Sequence, residues 1–155
     1  MARRDIGAVD SSATNVVHLF PDYAESVIWL RTPIPYEMTR LEAWLVEALK
    51  NWDQSYYAGL TPDLSWRSPG LQAEFLAEGA RLARRLADQI GDEFQVQHQL
   101  PDGLHRRVRG SGPARNPDAA AAFRRLAERW SDEEEGPSFT VDQADESGHI
   151  LEWRA

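Results

Sequence analysis

The chain has no cysteine and a single lysine, Lys50, among its 155 residues. Without thiolates there is no disulfide scaffold, no cysteine nucleophile, and no zinc or iron–sulfur site held by sulfur. No apolar run approaches the ~18 residues that a membrane-spanning helix requires, so no membrane association is expected. Arg3 and Arg4 stand at the amino terminus with no apolar stretch behind them. No secretory or twin-arginine leader is therefore expected, and the cytoplasm is the expected compartment. The densest glycine cluster, Gly110-Ser111-Gly112, lacks the spacing, the lysine and the strand–turn–helix setting of a phosphate loop. There is no Gly-x-Ser-x-Gly elbow and no His-Glu-x-x-His helix motif. Neither a metal nor a cofactor is expected.

What is present suits one packed domain. Hydrophobic residues make up 42% of the chain and aromatics 10%, with six tryptophans, which is too apolar for wholesale disorder. Acidic side chains number 25 and basic ones 17, a formal charge of −8. The sign varies along the chain: net −5 over residues 1–97, +4 over 98–130 and −7 over 131–155. A basic middle beside an acidic end reads either as two solvated faces or as patches that meet partners.

Periodicity gives an element order. Residues 1–14 are small, polar and charged, and are expected to be a flexible N-terminal segment, with 15–155 forming one domain. Val16-Val17-His18-Leu19-Phe20 and Val27-Ile28-Trp29-Leu30 read as strands joined by the turn-rich residues 21–26. From 36 to 57 the period changes, and Met38, Leu41, Leu45, Leu49, Trp52 and Tyr56 form one helical stripe flanked by Trp44. Ser68-Pro69 opens a second helix, and Gly91 closes it after a stripe through Leu71, Phe75, Gly79, Leu82, Leu86 and Ile90. Gly79 lies on that apolar face, where a missing side chain lets another element approach closely.

Residues 94–100 alternate as a strand, Pro101-Asp102-Gly103 turns the chain, and 104–109 return. A three-residue turn sets Gln99 opposite His105 and His98 opposite Arg106, so His98 and His105 point to opposite faces and no metal clip spans the hairpin. Asn116-Pro117-Asp118 opens a third helix with Phe123, Leu126 and Trp130 inward. Two last strands are expected at 138–142 and 149–153. The order ββ-αα-ββ-α-ββ implies an α+β domain, an antiparallel sheet built from hairpins with three helices on one face. Trp29, Trp44, Trp52, Trp130 and Trp153 all fall at positions this scheme buries.

The string His18-Leu19-Phe20-Pro21-Asp22-Tyr23, then Trp29, the tryptophan-bearing helix and Ala77-Glu78-Gly79-Ala80-Arg81-Leu82-Ala83 resembles uncharacterised proteins of high-GC bacterial genomes. The preference for arginine over lysine agrees with such a source. The resemblance covers residues 16–97 and implies a cytoplasmic bacterial domain. It carries no functional residue.

Three functional readings follow from the residues. The first is a small acidic protein-binding module, with neutralisation of a toxin or regulation of a partner as its role, since negative charge steers association with a basic partner. Immunity proteins against nucleases, of similar size and sign, supply the analogy. Its expected contacts are Asp132, Glu133, Glu134, Glu135, Asp142, Asp145 and Glu146, with the loop tryptophan Trp66 as apolar anchor. The second is an enzyme or small-molecule binder with dispersed His, Asp and Arg residues, which a deep pocket holding His18 or His98 beside a carboxylate would favour. A site joining His18, His149 and a carboxylate belongs to that reading. The third is a nucleic-acid binder through the region from Arg106 to Arg129, with Arg106, Arg107 and Arg109 as anion contacts. Self-association is compatible with all three.

Overall fold

The computed structural model describes residues 15–135, with side chains through residue 129. Strands β1 (Val16–Leu19) and β2 (Ile28–Trp29) come first, followed by a 3₁₀ turn at Tyr36–Met38. Helices α1 (Ala43–Ala58) and α2 (Pro69–Ile90) lead to β3 (Gln95–Gln99), β4 (His105–Arg109) and helix α3 (Pro117–Glu135). Among the described residues, three helices and one four-stranded sheet make the expected α+β domain. The expected N-terminal segment 1–14 and the last hairpin, 138–142 with 149–153, lie outside the described residues.

Both described hairpins form. In the second, His98 faces Arg106 and Gln99 faces His105, as the three-residue turn requires. The sheet, however, is mixed and not antiparallel throughout. Its order is β2-β1-β3-β4, and β1 runs parallel to β3 with Val17 opposite Val96 and His18 opposite Gln97. Parallel neighbours need a long crossover connection, and α1 with α2 supplies it. The two hairpins are thus joined edge to edge through β1 and β3.

Helix α2 is the centre of the domain. The Ser68 hydroxyl accepts from the Leu71 amide at 3.1 Å, Pro69 occupies the first turn, and Gly91 follows the last residue. Its inward face, including Phe75, Leu82, Leu86 and Ile90, packs on β3, on α1 and on α3. Gly79 sits where α1 crosses: a Cβ there would lie 2.8 Å from Trp52 Cζ2, so the indole rests on bare backbone. Trp52 is also stacked on Phe75 with centroids 4.5 Å apart, and its Nε1 donates to the Phe75 carbonyl at 2.9 Å. The Asn116 side chain caps α3 at the Ala119 amide and donates to the Arg40 carbonyl and to Gln89 Oε1. Gln89 Oε1 also accepts from the Glu42 amide, which ties the start of α1 to the other two helices.

Two expectations are corrected. Helix α1 begins at Ala43, not near Tyr36, because buried Thr39 satisfies itself locally. Its hydroxyl donates to the Tyr36 carbonyl and accepts from the Leu41 amide. This local bonding competes with helix continuation, and Arg40 then takes a left-handed φ of 57°. Trp44 is 48% exposed and not buried, and Trp29, opposite His18 on the outer sheet face, is only half-buried. One residue from Leu45 is about 100° around the helix, and Leu45, Leu49 and Trp52 already fill the inward stripe. Trp44 instead donates its Nε1 to Glu42 and lies 5.9 Å from the Arg85 guanidinium.

Candidate functional site

Strand alternation puts Val17, Leu19, Val96 and His98 on the helix-covered face and His18, Gln97 and Arg107 on the other. Where β1 and β3 end, a cavity of about 300 Å³ opens between the sheet, α1 and α2. Trp52, Tyr56 and Phe75 wall it, Gly79 forms part of its lining, and His98 enters from β3. His98 is only 4% exposed, and its Nδ1 has no hydrogen-bond partner. Burial pushes its pKa below the ordinary 6.5; hydrogen bonding to the Gln99 main chain works against that, and the charges of Arg106 and His105 reinforce it. His18, at the rim, is lowered in the same way, by burial first and then by Arg107 and His105. Both imidazoles are therefore held neutral near pH 7. Among the described residues no aspartate or glutamate lines the cavity. The two histidines expected of a catalytic pocket are present without the carboxylate that would hold a proton on either. The cavity suits a small apolar group bearing one polar atom. His149, the other member of the proposed His18 site, lies outside the described residues.

A second feature lies at the far end of α1. The residues Thr61-Pro62-Asp63-Leu64-Ser65 repeat, in backbone detail, the hairpin turn Leu100-Pro101-Asp102-Gly103-Leu104. Thr61 N–H donates to the Ser65 carbonyl at 2.7 Å, and Leu100 N–H to the Leu104 carbonyl at 2.7 Å. Leu64 N–H donates back to Thr61 at 2.8 Å, and Gly103 N–H to Leu100 at 3.0 Å. The aspartate of each accepts from the amide two residues on. Both turns then place a residue in the left-handed region, Gly103 at φ 86° and Leu64 at φ 68°. Glycine is the ordinary occupant there. A leucine in its place is strained, and this one is 62% exposed.

Tyr23, in the β1–β2 connection, repeats the combination with φ 53° and 71% exposure. Its amide donates to the Tyr57 hydroxyl at 2.6 Å, and the two rings lie 4.8 Å apart. Tyr23, Tyr57, Leu60, Pro62 and Leu64 together line a shallow depression of about 390 Å³. Asp22, Glu25 and Asp63, each next in sequence to a lining residue, are exposed. Hydrogen bonds from Thr61 and Ser65 hold the Asp63 carboxyl below the usual range. Burial raises the Asp53 carboxyl, and burial is also the main cause that raises Tyr57, against the hydrogen bond from the Tyr23 amide and with the Asp53 charge adding to it.

Trp66 is half-buried and turned inward: it bridges to Leu60 and packs on Tyr56 and Phe75 at 5.7 and 5.3 Å. It holds the Thr61–Ser65 turn against the core. Asp132, Glu133, Glu134 and Glu135 fall on the last turn of α3, in the part described by its backbone alone, and Asp142, Asp145 and Glu146 lie outside the described residues. Arg106, Arg107 and Arg109 are exposed on β4, but alternation sends Arg106 to the opposite side from the other two. Arg107 donates to Gln97 and Arg109 to the Asp92 carbonyl, while Arg124 pairs with Glu93 at 3.1 Å. Of these three contacts, the Arg124–Glu93 pair alone sets a carboxylate against an arginine, and Arg107 and Arg109 keep their charge. Leu64 and Tyr23 were missed by the sequence reading. The signal for Leu64 was there to find, in a second proline–aspartate turn with leucine at the glycine position.

Comparison with known families places the folded unit among immunity proteins. The chain belongs to the Serratia CdiI immunity protein-like family, whose family model matches residues 15–100, just over half its length. The match starts one residue before β1 and ends one residue after β3. It contains the whole stretch, 16–97, on which the resemblance to bacterial proteins rested, and gives it a functional class. No curated protein and no solved structure matches the chain.

Proposed function

We propose that the protein is a cytoplasmic immunity protein that neutralises a protein toxin by binding it, without catalysis. The observation that carries this reading is the family match, which spans the first three strands and the two helices between them. The acidic composition supports a basic toxin as the partner, because opposite net charge raises the encounter rate. The test is protection: toxin domains encoded in the same genome are expressed singly in cells with and without the protein, and growth is followed. At least one growth arrest is expected to be relieved, with the purified pair forming a stoichiometric complex. Protection against none of them would sink the proposal.

One observation favours a second reading, small-molecule binding. His98 lines a cavity walled by aromatics and carries a buried, unpartnered Nδ1, and a buried polar atom without a partner is costly. A thermal-shift screen of phenols and small aryl amides would test it. Stabilisation lost in His98→Leu supports the site, and no stabilisation by any of them removes it.

A further inference from the structure

We propose that the toxin docks on the depression formed by Tyr23, Tyr57, Leu60 and Leu64, presenting an apolar side chain set among basic residues. This inference deepens the immunity reading and rests on it. Two independent observations carry it.

The first is the pair of turns. The same chain builds one backbone turn twice, with glycine at the left-handed position in the β3–β4 hairpin and leucine in the α1–α2 connection. The hairpin turn shows that nothing about the geometry demands a side chain. Leu64 also contributes little to the core, being mostly exposed, so folding does not account for it. Strained residues persist where they serve a site. Tyr23 is a second large, exposed side chain on a left-handed backbone, and both line the same depression. Tyr57 fixes Tyr23 through its hydroxyl, and Trp66 fixes the turn bearing Leu64, so the surface is set before a partner arrives. Such preorganisation lowers the cost of binding.

The second is charge. Asp22, Glu25 and Asp63 are exposed and adjoin lining residues in the chain, and Asp63 accepts hydrogen bonds from Thr61 and Ser65. The nearby Arg67 turns its Nε toward the Ala58 carbonyl. An apolar centre with an acidic rim complements an apolar group with a basic rim. A basic toxin surface fits that description; a second copy of this chain would set acid against acid.

The experiment measures affinity between the purified protein and the toxin domain returned by the protection screen. Leu64→Gly keeps the turn that Gly103 already demonstrates, and Leu64→Asn, also tolerant of a left-handed backbone, serves as the second variant. Both are expected to melt at or above the wild-type temperature and to bind the toxin at least ~10-fold more weakly, the size expected of a central anchor. Asp22→Lys is expected to slow association and to weaken its dependence on salt. If wild type and both Leu64 variants bind equally, the docking site is wrong while the immunity reading stands. If the wild type protects against no toxin domain, that reading falls and this one with it. A wild-type dimer in sedimentation that Leu64→Gly dissociates would reassign the patch to self-association and overturn the proposal.

Discussion

Leucine at a left-handed φ costs roughly 1–2 kcal/mol, and glycine there returns about 0.5–1 kcal/mol through the greater freedom of the unfolded chain. Leu64→Gly is therefore expected to leave stability unchanged or raise it by up to about 1 kcal/mol, read as a urea midpoint at or above wild type. A clear loss of stability would mean that Leu64 supports the fold. The two lowered histidines give a second residue-scale prediction. In the unfolded chain an imidazole takes up its proton near 6.5, whereas His18 and His98 in the folded chain do so only at lower pH. Between those values the unfolded state holds more protons, so stability falls as the pH drops below about 6.5 and levels off once the folded values are passed. Urea midpoints at pH 7.5 and 5.5 are expected to differ in that sense, and His98→Leu to shrink the difference. An unchanged midpoint would place both imidazoles at ordinary values.

Among the elements, those with local signals were legible in the sequence. Ser68-Pro69 and Gly91 bracket α2 as expected, Asn116-Pro117 opens α3, and the three-residue turn at Pro101–Gly103 fixes the register of β3 with β4. What escaped was set by competition or by distance. Thr39 diverts the chain with its own hydroxyl before α1 can start, and nothing local announces it. The pairing of β1 with β3 joins residues nearly 80 positions apart, and no spacing pattern encodes it. Tyr23 and Leu64 escaped for a related reason, since exposure and a left-handed backbone leave no periodic trace. Gly79 was legible both as a close approach and in its consequence. Alanine in a helix interior gains about 1 kcal/mol over glycine, but here its Cβ would meet Trp52 at 2.8 Å. The indole is held by its stack on Phe75 and its hydrogen bond to the Phe75 carbonyl, so it has no easy retreat. Overpacking of this kind costs ~1–3 kcal/mol. Gly79→Ala is expected to lose about 1 kcal/mol in urea unfolding and to shift tryptophan emission; a gain would show that the ring moves freely.

On the scale of the whole molecule, the family match and the folding unit have different ends. The match stops at residue 100, yet β3 is paired on its far side by β4, and Phe94 packs against Phe123 of α3 at 6.1 Å. Ala119, Phe123 and Leu126 belong to the same core as α2. A chain ended after Leu100 bares the Phe94 and Val96 side of the core and turns β3 into an unprotected edge. It is expected to lose its cooperative urea transition while keeping some helical circular dichroism; a sharp transition would show that β4 and α3 are appendages.

The parallel junction of β1 with β3 also has a consequence in time. The residues that line the depression, from Tyr23 to Leu64, are all made before β3 leaves the ribosome. Yet β1 has only the short β2 beside it until residues 95–97 arrive. At ~5–20 residues per second, several seconds of synthesis separate Tyr23 from the strand that locks its sheet. A newly begun copy is therefore not yet a competent one, and a cell meeting the toxin depends on molecules it finished earlier.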